Sequence, residues 1–368
     1  MSTTHFDAIV IGGGLGGLLM ANVLERSGRR VALLEALDAV GGNCRPQRGG
    51  DSFFDHGLKY FPNLPGSADA LRWVESVTGL ALEPELIDAP AVTYDGGRLQ
   101  PFVGFGGEAP LTADEVSYYA SPQHWRLRAT PKDWVAALAR GFGGLTSVRS
   151  QVTKIVTEGQ RAVEVEVNGT KRLQADDVLY CAPPTSLLEL IDADSVPTRA
   201  RQRLQKGNAL TSIHLDFVHA SQITDSAAPH VLKGANEGPC VGLFHPTTLS
   251  RQLSQWCAFI PADQTDDSEL ISAQLKYVKR QIKRVYVGAF DGLVSERILV
   301  CPGSHGSADG LLTADGLWPK TKNLRPVSSL FSERRNLLGL LAECERVSRG
   351  LEAVQTPPPP NETDTACV

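Results

Sequence analysis

The chain has 368 residues, 42% hydrophobic and 21% charged, with a net charge of −5, which is enough for a substantial buried core and for two domains, or one domain interrupted by another. The small negative charge is spread along the chain and points away from nucleic acid as a partner. Seven cysteines (Cys44, Cys181, Cys240, Cys257, Cys301, Cys344 and Cys367), scattered with no C-x-x-C spacing, argue against a disulfide framework or a zinc site and fit the reduced thiols of a cytoplasmic protein.

The first patterned stretch is DAIVIGGGLGGLLMANVL, Asp7 to Leu24. Its apolar run is about 17 residues long, the lower limit for crossing a bilayer. A block of glycine splits it into a β-rich half and a helix-rich half, so an integral membrane segment is not expected. Phe6 to Ile11 reads as a buried parallel strand. LLMANVLERSG then reads as a helix stopped at Gly28, and Arg30 to Glu35 as a second buried strand. The turn between them is Gly12-x-Gly14-x-x-Gly17. In a strand–turn–helix context Gly12 permits the tight turn, Gly14 lets backbone amides approach a pyrophosphate, and Gly17 lets the helix lie close to the sheet. The pyrophosphate would sit on the helix N-terminus. Glu35, at the end of the second strand, is placed to accept from both ribose hydroxyls and to repel a 2′-phosphate, which disfavours NADP.

Past Glu35 the chain reads ALDAVGGNCRPQRGGDSFFDHGLKYFP. The acid, the Gly41-Gly42 pair, Arg45 and the aromatic-rich FFDHGLKYF together resemble the FAD-binding amine oxidase, phytoene desaturase and protoporphyrinogen oxidase superfamily. Asn43 stands where that superfamily usually has arginine, a variant also similar to UDP-galactopyranose mutases. The resemblance implies FAD as cofactor, with Gly57 beside the flavin ring, and places His56 and Lys59 near flavin or substrate as candidate catalytic residues. It assigns the cofactor to Gly12, Gly14, Leu15, Gly16, Gly17, Glu35, Ala36, Gly41, Gly42, Asn43, Arg45, Gly57, Leu58 and Lys59, and further on to Val152, Ser328 and Gly339.

Farther along, Val92 to Phe102 reads as a hairpin turning at Gly96-Gly97. Val148 to Pro184, with the turn Asn168-Gly169, reads as a three-strand meander feeding a last buried strand. In the resemblance this unit closes over the adenine near Val152. Ser212 to His219 and Ser254 to Pro261 alternate like strands of a sheet that could roof the flavin. Asp266 to Tyr286 reads as a helix whose basic end is a solvated face. Trp256, His245 and Trp318 are each core or substrate-cavity residues, with core the stronger reading.

The closing segment, Asn323 to Val354, keeps a final helix with an apolar face at Leu337, Leu338, Leu340, Leu341, Cys344 and Val347. Its Gly339 matches the second glycine of the superfamily's closing motif. The Gly-Asp pair expected before it is replaced by Val327-Ser328-Ser329, which puts ordinary flavin binding in question. The tail 356–368 reads as disordered.

The fold expected is α/β: a Rossmann-like FAD/NAD(P)-binding domain from 1–65, 130–195 and 298–355, with a discontinuous α+β substrate domain from 66–129 and 196–297. The activity implied is an FAD-dependent oxidoreductase removing hydride from a C–N or C–C bond of a small molecule. A non-redox flavin isomerase of the sugar-mutase kind and a non-catalytic dinucleotide-binding subunit are the alternatives. A homodimer and a partner enzyme are both left open.

Overall fold

In the computed structural model, residues 4–49, 52–105, 110, 112–192, 196–206, 210–234, 238–248, 250–305, 311–332 and 336–355 are described; the 356–368 tail lies outside them. Thr4–Ile11 and Val31–Leu34 are strands, and Leu15–Arg26 between them is a helix. No helix among the described residues is long and apolar enough to cross a membrane.

These strands nucleate a parallel sheet in the spatial order Leu145–Ser147, Val31–Leu34, Thr4–Ile11, Lys171–Tyr180. The far edge of Lys171–Tyr180 is shared. Its first part pairs antiparallel with the meander strand Arg161–Val167, and its last part pairs parallel with Leu324–Pro326. Because side chains alternate along a strand, Ala8, Val10, Val31 and Leu33 enter one core, with helices Leu15–Arg26, Ser67–Thr78, Pro131–Gly141 and Leu337–Gln355. Ile9, Ile11, Ala32 and Leu34 enter the opposite core, beneath the meander. The Asn168-Gly169 turn has φ of 53° and 71°, left-handed values that asparagine and glycine tolerate at a hairpin tip.

The second sheet runs Leu293–His305, Leu210–His219, Gln252–Pro261, Cys240–Phe244, His230–Leu232, Val92–Asp95, Arg98–Pro101. Its hairpin turns at Gly96-Gly97. Every residue of Leu210–His219 is buried, because both faces are covered. Ile213, Leu215 and Phe217 pack under the helix Ser268–Val285, which Asp267 caps by accepting from the amides of Glu269 and Leu270. The alternate residues Ser212, His214 and Asp216 form a polar stripe on the other face, against the 55–59 loop.

Two elements sit differently from the sequence division. Ser67–Thr78 falls in the stretch given to the substrate domain, yet Ala70, Leu71, Val74 and Val77 pack in the core of the dinucleotide sheet. Conversely, Leu293–His305 pairs with Leu210–His219 in the second sheet, although its later residues fall in the stretch given to the first domain. Both placements follow from an apolar face meeting a surface that no local pattern specifies.

Candidate functional site: a dinucleotide cavity between the glycine turn and the meander

The turn after the first strand is built as its glycines require. Gly12 has φ of +100° and faces the backbone of Cys181 and Ala182, and a Cβ on Gly17 would lie 1.8 Å from the Gly12 carbonyl oxygen. A Cβ on Gly14 would meet nothing within 4 Å. Gly14 is also the N-cap of Leu15–Arg26 and supplies no side-chain cap, so the first amides of that helix are left for an anion. Gly41 and Gly42, with φ of +118° and +51°, dock on the same turn. The Gly41 amide donates to the Gly13 carbonyl at 2.7 Å, and a Cβ on Gly42 would lie 3.1 Å from the Gly14 Cα.

Glu35 is 8% exposed. Its Oε2 accepts from the Gly13 amide at 2.7 Å and its Oε1 from the Leu37 amide at 2.8 Å. Two backbone bonds fix the carboxylate and leave each oxygen a further lone pair.

These groups line a cavity of about 540 Å³, within the range of cofactor sites. Of the residues singled out in the sequence, Gly12, Gly14, Leu15, Gly16, Glu35, Ala36, Gly42, Asn43, Val152 and Ser328 lie on its wall. Sequence reasoning missed Ser150, Gln151, Leu340 and the Tyr180-to-Pro184 turn. The signal for the last was present, since a buried strand ending in a proline pair must leave the sheet there.

The open Gly14 face, the uncapped helix end and the fixed carboxylate fit a dinucleotide. One feature differs from expectation: among the described residues Glu35 and Glu189 are on the wall, and no Lys, Arg or His is. Arg45, expected to neutralise phosphate, instead pairs with Asp38 at 3.2 Å at the surface. Among the described residues the backbone amides and helix dipole are therefore the positive groups the wall offers.

The second half of the expected site is arranged otherwise. Gly57, read as space for the flavin ring, has φ of +75°, and its Cβ would lie 3.0 Å from the His214 ring, so a protein side chain accounts for this glycine. His56, read as near flavin or substrate, is 4% exposed, with Nδ1 3.1 Å from Asp216 Oδ2. Asp216 also accepts from the Gly57 amide and from Gln255, and Arg297 lies 3.9 Å away. Leu58 is core, its amide 3.4 Å from His214 Nδ1. Lys59 reaches the cavity edge: its Nζ donates to the Asn43 carbonyl at 3.2 Å. Gly41, Gly17 and Gly339 stand behind the wall; the Gly339 amide donates to Asn336 Oδ1 at 3.2 Å, capping the last helix. Ser328 caps the short turn Ser329–Phe331 by accepting from the Leu330 amide at 3.3 Å. Trp256 and Trp318 are fully buried core, while His245 lines a separate small cavity.

Comparison with known proteins bears on the fold that carries this cavity. Residues 10–76 match the family model of the NAD(P)-binding Rossmann-like domain. Over 188 residues, 51% of this chain and 39% of the relative, it is 30% identical to an Escherichia coli protein described as a probable electron transfer flavoprotein-quinone oxidoreductase. The chain thus spans about two fifths of that relative's length. Among solved structures, an oxidoreductase from Methanosarcina mazei superposes with a TM-score of 0.71 at 13% identity, covering 93% of this chain and 99% of that one. Cyclohexylamine oxidase from Brevibacterium oxydans superposes with a TM-score of 0.69 at 13% identity, covering 95% and 100%. The resemblance carried by the glycine turn, Glu35 and Gly41-Gly42 holds for the fold: residues 10–76 match the NAD(P)-binding Rossmann-like domain, and the chain shares its overall fold with these two solved structures.

Proposed function

We propose that the chain is an FAD-dependent oxidoreductase that takes hydride from a C–N or C–C bond of a small molecule. The observation that carries this is the 540 Å³ cavity walled by an uncapped helix N-terminus, an open Gly14, the fixed Glu35 carboxylate and the meander at Val152. When bound there, FAD supplies the two-electron acceptor. The protein's part is to hold and orient. Glu35 would accept from the ribose, and the amides after Gly14 together with the Gly42-Asn43 backbone would hold the diphosphate. Lys59 stands at the border toward the second sheet with its Nζ on the Asn43 carbonyl. Burial acts to lower the Lys59 pKa, but the neighbouring Cys44 and Asp55 outweigh it and raise it, so the ammonium stays charged. The described cysteines are all free, which supports a reducing, cytoplasmic setting.

A second reading, a subunit that binds the dinucleotide without turning it over, is favoured by Ser328 in the place where the resemblance expects an acid. The absorbance spectrum of the purified protein separates the two. Flavin bands that bleach anaerobically with substrate support the oxidoreductase. Bands that no substrate bleaches support the subunit, and a colourless folded protein overturns the oxidoreductase.

A further inference from the structure

Beyond the dinucleotide cavity lies a smaller one of about 70 Å³, room for about two waters or an ion the size of acetate. Lys59 joins the two: its side chain lines the small cavity, and its Nζ bonds to Asn43 on the wall of the large one. The small cavity has aromatic walls from Tyr60, Trp125 and Phe244. Among the described residues its charged lining is Lys59 and Arg126, with no Asp or Glu. This is the reverse of the large cavity, whose described wall carries carboxylates and no cation.

The carboxylates whose charge acts on Lys59, Asp55 and Asp216, make their hydrogen bonds elsewhere. Asp55 accepts from the Thr130 hydroxyl and the Lys132 amide. Asp216 accepts from the Gly57 amide and Gln255. Glu85, which pairs with Arg126 at 3.1 Å, does so at the surface.

Two of the residues that line it carry a buried polar atom with no hydrogen-bond partner among the described residues: His124 at Nδ1 and Trp125 at the indole Nε1. His124 is 5% exposed. Burial, followed by the charge of Arg126, lowers its pKa to about 4, so the ring is neutral at neutral pH and can present either an N–H or a lone pair. Unsatisfied buried polar groups are uncommon in folded proteins and call for an explanation. Two of them on one cation-rimmed aromatic cavity point to a bound group that accepts hydrogen bonds.

We propose that the small cavity binds a short carboxylate, the head group of the molecule oxidised, against the Lys59 ammonium and the Trp125 indole N–H. The proposal rests on the oxidoreductase reading for the word oxidised, but not for the binding itself. An alkylammonium ion in the same place would meet two cations and no carboxylate among the described lining residues. The chain therefore departs in substrate charge from the cyclohexylamine oxidase whose fold it shares.

The test titrates sodium acetate and the size-matched cation ethylammonium into the purified full chain by calorimetry, with tryptophan fluorescence as a second readout. Acetate is expected to bind with one site and ethylammonium not to bind. Trp125→Phe keeps the ring but removes the donor, and it should weaken acetate by about tenfold or more. Lys59→Met, which leaves Trp125 in place, should weaken it at least as much. Ethylammonium binding in place of acetate, no binding of acetate up to about 100 mM, or unchanged acetate affinity in both variants overturns the proposal. A colourless protein that binds acetate in this way keeps the cavity assignment and sinks the oxidoreductase reading. A flavin bleached by simple amines in a protein that ignores acetate does the opposite.

Discussion

Glu35 Oε2 holds the amide of Gly13 at 2.7 Å, so the acid at the end of the second strand is part of the turn that ends the first. The carboxylate therefore has two tasks, shaping the turn and meeting a ribose. Glu35→Ala leaves the Gly13 and Leu37 amides without their acceptor and should destabilise the protein by about 1–3 kcal/mol, read as a lower melting temperature, together with reduced flavin content. Glu35→Gln keeps an acceptor for one amide and should fall between the two. Wild-type flavin content in Glu35→Ala would remove Glu35 from the site.

Gly14 and Gly17 belong to one motif but answer to different constraints. At Gly17 a Cβ would fall 1.8 Å from the Gly12 carbonyl oxygen, and at Gly14 it would meet nothing. Gly17→Ala must move backbone and is expected to cost about 4 kcal/mol or more, seen as little soluble protein. Gly14→Glu should melt within about 0.5 kcal/mol of the cofactor-free parent, yet retain no flavin, because its carboxylate would occupy the anion seat at the helix N-terminus. Flavin retention in Gly14→Glu would show that the turn does not cradle a diphosphate.

Asp216 is fully buried and joins the second sheet to the 55–59 loop through His56 and the Gly57 amide, with Gln255 beside it and Arg297 behind it. Asp216→Asn leaves the guanidinium and its neighbours without a buried negative charge, a loss that typically costs about 3–5 kcal/mol. The urea midpoint should fall accordingly. Asp216→Asn at parental stability would mean that the contact is incidental.

The glycine turn, Glu35, Gly41-Gly42 and the meander were legible because each is local: a period change, a turn residue or a strand end within a few tens of residues. Gly57 was legible as a constrained glycine but not as to its neighbour, because His214 arrives from 157 positions away. The same distance hid the Asp216 cluster, in which alternation along Leu210–His219 marked a strand without showing that its polar face would be buried. Arg45 illustrates a different limit. Its spacing after Gly41-Gly42 suited a phosphate contact, but Asp38, equally near in sequence, captures it at the surface.

His230 offers a pH test. It is fully buried in the second sheet, with Nε2 2.8 Å from the Tyr286 hydroxyl. Burial lowers its pKa to about 4, against about 6.5 for an unfolded histidine. Between those values the unfolded chain takes up a proton that the folded chain refuses. Stability should therefore be full above about pH 6.5, fall by up to about 1.4 kcal/mol per pH unit as the pH drops toward 4, and level off below that. His124, His219 and His245 are shifted the same way by burial and steepen the fall. His230→Gln keeps a side chain able to bond Tyr286 but removes one titrating group. Urea midpoints at pH 7 and pH 5 should differ less in that variant than in the parent. An equal difference in the two would show that His230 takes its proton in the folded protein as readily as in the unfolded chain.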